Sequence, residues 1–365
     1  MENRSTPLIN SPYALIDGAS GFGSAISHET EELTGVVRDT GEELITRLEA
    51  YEDIINIEVG DTSLGRVRNI ERESGLRQLF IKFEGGNPTG TQKDRIAFAQ
   101  VMDAMRRGYE AITLATCGNY GVASALAANL AGIKCIICIP ESYHTRRITE
   151  MEGLGAEIIK TPGDYEQSVE FSQEMASREE IYDANPGGAN THLQIISYAE
   201  IAYEIYDVLR DAPKIVAAPV SNGTMLAGIY RGFATLYKRG KTSRVPRIIA
   251  GSSFKKNPII TSFQKGLDYC QDLRPESIKE TKINEALINW HSYDGDVALQ
   301  ALRSSDGWAD DVSDQKLSYY SKVLREKEGL NVLPASTAGM IALIELHRME
   351  NFENDRFVAI LTGRK

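Results

Sequence analysis

From Glu110 onward, short apolar runs alternate with longer segments in which apolar residues recur every three or four positions. The short runs predict buried strands, and the longer segments predict amphipathic helices. The predicted strands cover residues 111–115, 134–139, 157–160 and 215–220. The predicted helices cover residues 122–130, 146–154 and 165–177. Strands that alternate with helices pair in parallel through helical crossovers, so the pattern predicts an α/β fold.

Before this alternation, the pattern predicts a helix over 42–54 and the end of a strand over 79–81. Glycines and a proline then interrupt regular structure over residues 85–90. Apolar side chains recur on one helical face from Ile96 to Met105, and Gly108 suits the end of that helix. Lys93 therefore lies where a loop passes into a helix. Asp94 follows it in the first turn, where the helix dipole favours a negative charge.

Two further polar segments follow predicted strands, at residues 116–121 and 220–225. A strand, a short polar turn and a helix place unpaired backbone N–H groups at a helix N-terminus, where an anion can bind. Open parallel sheets bind ligands beyond the carboxyl ends of their strands, where both turns are expected. The alternative is that both are ordinary capped turns. The last apolar run covers residues 357–362 and ends at Thr362. On this local pattern alone, Thr362 is an ordinary strand-end residue that binds no ligand.

Composition limits the class of protein. The chain has 365 residues, of which 42% are hydrophobic and 25% charged, with a net charge of −11. These values are typical of a globular protein of two domains and make a nucleic-acid partner unexpected. No apolar run has the length of a membrane helix and no signal pattern begins the chain, so we expect a cytoplasmic protein without membrane contact. Cys135 and Cys138 lie three apart on a predicted strand, which excludes joint metal binding.

A lysine at a loop-to-helix junction is either a solvated side chain or an amine that forms a Schiff base with an aldehyde cofactor. The segment Asn87-Pro-Thr-Gly-Thr-Gln-Lys-Asp-Arg95 favours the second. It closely resembles the lysine motif of the fold-type II pyridoxal-phosphate enzymes, and among them the threonine synthases, which carry Asn-Pro-Thr-Gly-Ser-Phe-Lys-Asp-Arg. Thr91 and Gln92 depart from that motif. The resemblance implies that Lys93 holds pyridoxal 5'-phosphate and later acts as the base for the substrate α-proton.

The resemblance extends, in order, from about Val59 to Gly363 and implies further site residues. Asn119 is expected to contact the cofactor phenolic oxygen, and Thr362 the pyridine nitrogen. The cofactor phosphate is expected on Ser221, Asn222, Gly223, Thr224 and Met225. The substrate carboxylate is expected on Thr116, Cys117, Gly118, Asn119 and Tyr120, and Asn185 is expected to contact the substrate phosphate. Cys117 replaces a serine or threonine of the family, either as a reactive thiol or as a small side chain that fits.

The family's fold implies two open, mostly parallel twisted sheets with helices on both faces and the cofactor in the cleft between domains. We expect an N-terminal extension over 1–58 and a larger phosphate-binding domain over 59–88 and 190–365. A smaller substrate-binding domain is expected over 89–189. The resemblance also implies a homodimer that acts on a small amino acid and needs no metal.

The most similar activity is that of threonine synthase, which converts O-phosphohomoserine and water to threonine and phosphate. Gln92, Cys117 and Asp164 depart from that pattern, and an acid near a substrate phosphate is unfavourable. β-Replacement on O-phosphoserine, as in cysteine or cysteate synthases, and a serine/threonine dehydratase-like lyase are the alternatives. A nucleotide-binding dehydrogenase would need Gly-x-Gly-x-x-Gly after its first strand, which the sequence lacks. A non-catalytic binding module would not need Lys93.

Overall fold

The structure is a computed structural model that describes residues 27–116, 118–143 and 147–365. The chain forms two compact units. The first contains the described residues up to Gly60 together with Asn87–Leu193, and the second contains Asp61–Gly86 and Gln194–Lys365. The sequence instead predicted boundaries at 58/59, 88/89 and 189/190, and a separate N-terminal extension.

The described residues form helices and strands that alternate along most of the chain. The helices are α1 His28–Arg38, α2 Leu44–Glu58, α3 Arg68–Ser74, α4 Lys93–Arg106, α5 Asn119–Ala131, α6 Arg147–Gly153, α7 Tyr165–Glu179, α8 Thr191–Leu209, α9 Thr224–Lys238, α10 Pro258–Gln264, α11 Gly295–Ser304, α12 Asp314–Glu328 and α13 Ala338–Glu350. The strands are β1 Leu64–Arg66, β2 Leu79–Phe83, β3 Ala111–Ala115, β4 Lys134–Pro140, β5 Glu157–Thr161, β6 Tyr182–Asp183, β7 Ile215–Pro219, β8 Arg247–Ser253, β9 Trp308–Val312 and β10 Phe357–Leu361.

The sheet of the first unit has the strand order β5-β4-β3-β6, and its pairs are parallel. Helices α5 and α7 both pack against β4. Apart from Lys134, every residue of β4 is buried, as expected for a strand covered on both faces. Helix α5 is alanine-rich and almost entirely buried, and it ends at Gly132 in the left-handed conformation with φ of 71°.

The sheet of the second unit has the order β1-β2-β10-β7-β8-β9. Its pairs are parallel except for β1 with β2. The central strands β10 and β7 are buried throughout, and helix α13 packs against both. Two mostly parallel open sheets flanked by helices confirm the predicted fold class.

The described N-terminal helices belong to the first unit. Tyr51 of α2 is fully buried, stacks on Phe98 of α4 and donates a hydrogen bond to the carbonyl of Ala127, at 3.0 Å. Arg38 at the end of α1 donates from Nε to the carbonyl of Asn129, at 3.0 Å. These contacts join both helices to α4 and α5. Residues 1–26 lie outside the described part of the chain.

Candidate active site

Lys93 is the first residue of α4, as the sequence predicted. The loop before it is closed by Asp94, a buried carboxylate that accepts hydrogen bonds from the Thr89 backbone N–H at 3.0 Å and the Thr89 hydroxyl at 2.8 Å. Gly90 has φ of +86° and donates to the carbonyl of Asn87 at 2.9 Å. The turn therefore needs a glycine at position 90. The side chain of Asp94, the residue after Lys93, holds the loop that precedes the lysine.

The Lys93 ammonium lies over the ring of Tyr120, with Nζ 5.2 Å from the ring centroid. The Tyr120 hydroxyl donates to the carbonyl of Ala184 at 2.7 Å and accepts from Nε2 of Gln100. Only 6% of Tyr120 is exposed. Because the ring is buried and its hydroxyl is held by two hydrogen bonds, its face is a fixed surface for the lysine amine, and that face favours a cation. The sequence predicted Tyr120 as a carboxylate-binding residue and missed this contact with Lys93.

The turn between β3 and α5 carries the predicted carboxylate-binding residues, of which Cys117 lies outside the described residues. Thr116 accepts a hydrogen bond from the Gly118 N–H through its hydroxyl at 3.3 Å. A Cβ on Gly121 would lie 2.7 Å from the Thr116 methyl group, so the helix begins in close contact with the turn. Within the described part of the chain, the partly exposed Asn119 side chain makes no hydrogen bond. Its amide is therefore available to a ligand.

Asn185, predicted to contact the substrate phosphate, lies in the interior of the first unit. Its side chain is 0% exposed, and Oδ1 accepts from the Ala115 N–H at 2.7 Å. Nδ2 donates to Ser172 at 3.0 Å and to Asp183 at 2.7 Å. Burial raises the pKa of Asp183, while its hydrogen bonds from Asn185 act in the opposite direction. The Asn185 amide therefore joins β3, through Ala115, to Ser172 of α7 and Asp183 of β6.

In the second unit, the predicted phosphate loop connects β7 to α9. Its carbonyls point into the protein: Val220 accepts from the Ser252 hydroxyl at 2.7 Å, and Asn222 accepts from the Asp294 N–H at 3.0 Å. In contrast, the backbone N–H groups of residues 221–225 donate to no acceptor among the residues that the structure describes. Consecutive orphan donors at a helix N-terminus form a cradle for an anion.

Gly223 closes this cradle. Its φ is +101°, and a Cβ there would lie 2.7 Å from the carbonyl oxygen of Asp294 and 2.8 Å from the Ala298 Cβ. Any other residue would therefore strain the backbone and displace α11 or the loop. The Thr224 hydroxyl donates to the buried carboxylate of Asp294, so this hydroxyl is already used within the protein.

Thr362 follows β10 directly and lies at the same sheet edge as the cradle, because β10 and β7 are parallel neighbours. Its hydroxyl donates to Ser336 Oγ at 3.3 Å, and Ser336 also accepts from the Gly363 N–H at 3.2 Å. Ser336 belongs to the short 3-10 turn Pro334–Thr337. The sequence did not predict that this serine would orient Thr362.

A second lysine lies near the same edge but has a different environment. Lys82 of β2 is 1% exposed and donates to the Glu204 carboxylate and to the carbonyl of Thr62. A lysine enclosed with a carboxylate is held as a structural ion pair. The sequence missed this pair because Glu204 is distant along the chain and gives no local signal.

Other reactive groups of the described chain do not form a site. Burial raises the pKa of Cys135, and it raises that of Cys138 to about 11 although Ser172 and Thr113 lower it by hydrogen bonding. No cluster that could hold a metal ion occurs among the described residues. None of the helices described above is long and apolar enough to cross a membrane.

Comparison with known proteins identifies the family. A family model described as pyridoxal-phosphate dependent enzyme matches residues 55–363. The chain is 30% identical over 313 residues to a threonine synthase of Methanocaldococcus jannaschii, covering 85% of this chain and 76% of the relative. It is 31% identical over 318 residues to a threonine synthase of Bacillus sp. strain ULM1, covering 85% and 84% respectively.

Solved structures share the fold. Maize serine racemase matches with a TM-score of 0.71 at 19% identity, over 87% of this chain and 92% of that one. A cysteine synthase from Entamoeba histolytica matches with a TM-score of 0.65 at 19% identity, over 84% and 86% respectively.

Proposed function

The chain belongs to the pyridoxal-phosphate-dependent enzymes, and we propose that within this family it converts O-phosphohomoserine and water to threonine and phosphate. The predictions of the family, of the cofactor and of a lyase are confirmed by the family match and by the threonine synthases among its relatives. The specific substrate and the roles of individual residues are our proposal.

The observation that carries the proposed cofactor site is the run of orphan N–H groups over 221–225. A phosphate dianion would satisfy these donors and lie at the positive end of the α9 dipole. The Thr224 hydroxyl is used by Asp294, so we assign the phosphate to the backbone rather than to side-chain hydroxyls. The described residues therefore fit the phosphate of the cofactor.

We assign Thr362 to the pyridine nitrogen, since its hydroxyl lies at the end of β10 and is oriented by Ser336. A neutral hydroxyl does not hold a proton on that nitrogen as a carboxylate would, which moderates the cofactor's capacity to withdraw electrons. We assign Asn119, the first residue of α5, to the phenolic oxygen.

When bound, the cofactor stabilises negative charge on the substrate α-carbon. We propose that the Lys93 amine would hold the cofactor and that the same amine, when free, would take the α-proton of the substrate. The buried ring of Tyr120 would keep this amine in position. The N-terminus of α5, with the described residues of the Thr116–Tyr120 turn, would hold the substrate carboxylate.

The test is to incubate the purified protein with O-phosphohomoserine or with O-phosphoserine plus a sulfur nucleophile and to quantify the amino-acid products. We expect threonine and phosphate in equal amounts from O-phosphohomoserine, and little turnover of O-phosphoserine. Preferential turnover of O-phosphoserine would replace the proposal with β-replacement.

Asn185 does not distinguish these substrates, because its amide is used within the first unit. Asp164 caps α7 through its carboxylate, which explains the acid without a substrate.

A further inference from the structure

Asn257 connects the phosphate loop to the helix that follows β8. Its side chain is 0% exposed and caps α10, with Oδ1 accepting from the N–H groups of Ile259 at 3.0 Å and Ile260 at 3.3 Å. Because only the carbonyl end of the amide can accept these bonds, the NH2 end is directed away from the helix. It donates to the carbonyl of Ser221 at 3.1 Å and to Oδ1 of Asn289 at 3.0 Å.

Asn289 extends this support to the next loop residue. Its Nδ2 donates to Oδ1 of Asn222 at 3.1 Å and to Ser292 Oγ at 2.8 Å. Ser292 in turn donates to the carbonyl of Ser221 at 3.3 Å. The Ser221 carbonyl is therefore held from behind by two buried side chains. A peptide whose carbonyl points inward directs its N–H outward, so this support orients the donors of the cradle.

We infer that Asn257 is a positioning residue for the cofactor phosphate. It acts through the Ser221 carbonyl and through Asn289, and it sets the direction of the N–H groups that the phosphate meets. The inference rests on the proposed function, in which residues 221–225 bind the phosphate. Two roles meet in one amide: its oxygen caps α10, whereas its nitrogen holds the loop. A substitution can therefore keep the first role and remove the second.

Asn257→Ser does this, because serine is a good helix cap but carries no amide donor to reach the loop. The matched control is Asn284→Ser, since Asn284 is equally buried but bonds Thr281 and Asp314 instead of the loop. The affinities of the cofactor-free variants for pyridoxal phosphate and for pyridoxal, which lacks the phosphate, are measured by titration.

We expect Asn257→Ser to weaken pyridoxal phosphate binding about tenfold while pyridoxal binding is unchanged. We expect Asn284→Ser to alter neither affinity. The inference would be overturned if Asn257→Ser weakened the binding of both ligands equally or weakened the binding of neither. The same selective loss of pyridoxal phosphate affinity in Asn284→Ser would also overturn it. If Asn257→Ser does not fold, Asn257→Asp keeps the acceptor for α10 and replaces the donors with a carboxylate oxygen. The same selective loss is then expected.

A separate result would overturn the phosphate site itself. If the unmodified protein binds pyridoxal as tightly as pyridoxal phosphate, and Gly223→Ala changes neither affinity, residues 221–225 do not hold the phosphate. A different pair of results would retain the site and reject only the role of Asn257. In that case the protein clearly prefers pyridoxal phosphate, Gly223→Ala removes the preference, and Asn257→Ser keeps it.

Discussion

Thr362 is the residue that we assign to the pyridine nitrogen of the cofactor. It follows the central strand β10, and Ser336 fixes the direction of its hydroxyl. A residue that only ended the strand would need neither the hydroxyl nor its partner. The two interpretations therefore predict different tolerance to substitution at the same position.

We expect Thr362→Ser to keep turnover near that of the parent, because the hydroxyl remains. Thr362→Val is similar in shape but lacks the donor and acceptor, and it should lose roughly 1–3 kcal/mol of interaction with the cofactor. Turnover and the absorbance spectrum of the bound cofactor are the measurements. A valine variant with the parent's turnover and spectrum would show that Thr362 is only a strand-end residue.

Asn185 is predicted to act on stability and not on substrate recognition. Asn185→Ala would leave the Ala115 N–H without its buried acceptor and would remove one of the donors to the Asp183 carboxylate, which should lower the free energy of unfolding by about 1–3 kcal/mol. Denaturant unfolding measures this loss, and initial rates measure KM for the substrate. An alanine variant of unchanged stability but strongly raised KM would restore the substrate contact that the sequence first predicted.

At the scale of elements, the N-terminus of α9 depends on a glycine for two separable reasons. Gly223 and Gly240 both have positive φ, of +101° and +67°, so an alanine is strained at either position. Only at Gly223 would the added Cβ meet other atoms, since nothing lies within 4 Å of the one at Gly240. A comparison of the two variants therefore isolates the steric effect on the cradle.

We expect Gly223→Ala to lose most of its bound pyridoxal phosphate during dialysis, while Gly240→Ala retains it. Cofactor occupancy is measured by absorbance after denaturation. Equal occupancy in the two variants would contradict the assignment of residues 221–225.

The elements themselves were predictable where the pattern is local. Strand β3 was predicted over the residues it occupies, and β4, β5 and α7 differ from their predicted ends by one or two residues. Helix α5 begins at Asn119, three residues earlier than predicted. Its N-cap is Gly118, which provides no side-chain cap and therefore no signal for the start of the helix in the sequence. The predicted start of α6, Arg146, lies outside the described residues.

The supports of the site were not predictable in the same way. Asn257, Asn289 and Ser292 bond residues that lie 36, 67 and 71 positions away. No periodicity or turn signal in one sequence relates positions so far apart. The pair Asn257-Pro258 could have revealed the start of α10, because asparagine before proline is a typical cap, but not the contact with the loop.

At the scale of the whole molecule, the motifs predicted the family and the fold class, and the division of the chain into domains stays a prediction. Buried contacts such as that of Tyr51 with Ala127 place α2 in the first unit, and a sequence of weakly amphipathic helices does not specify such contacts. The predicted homodimer stays a prediction.

The central claim is that Lys93 is the cofactor lysine. Borohydride reduction of the purified protein, followed by peptide mapping by mass spectrometry, tests it most directly. The buried Lys82 serves as an internal comparison, because Glu204 and Thr62 already hold its ammonium. We expect the reduced cofactor on the peptide containing Lys93 and on no other, and none in Lys93→Ala. The reduced cofactor on Lys82 or another lysine, or its persistence in Lys93→Ala, would contradict the account.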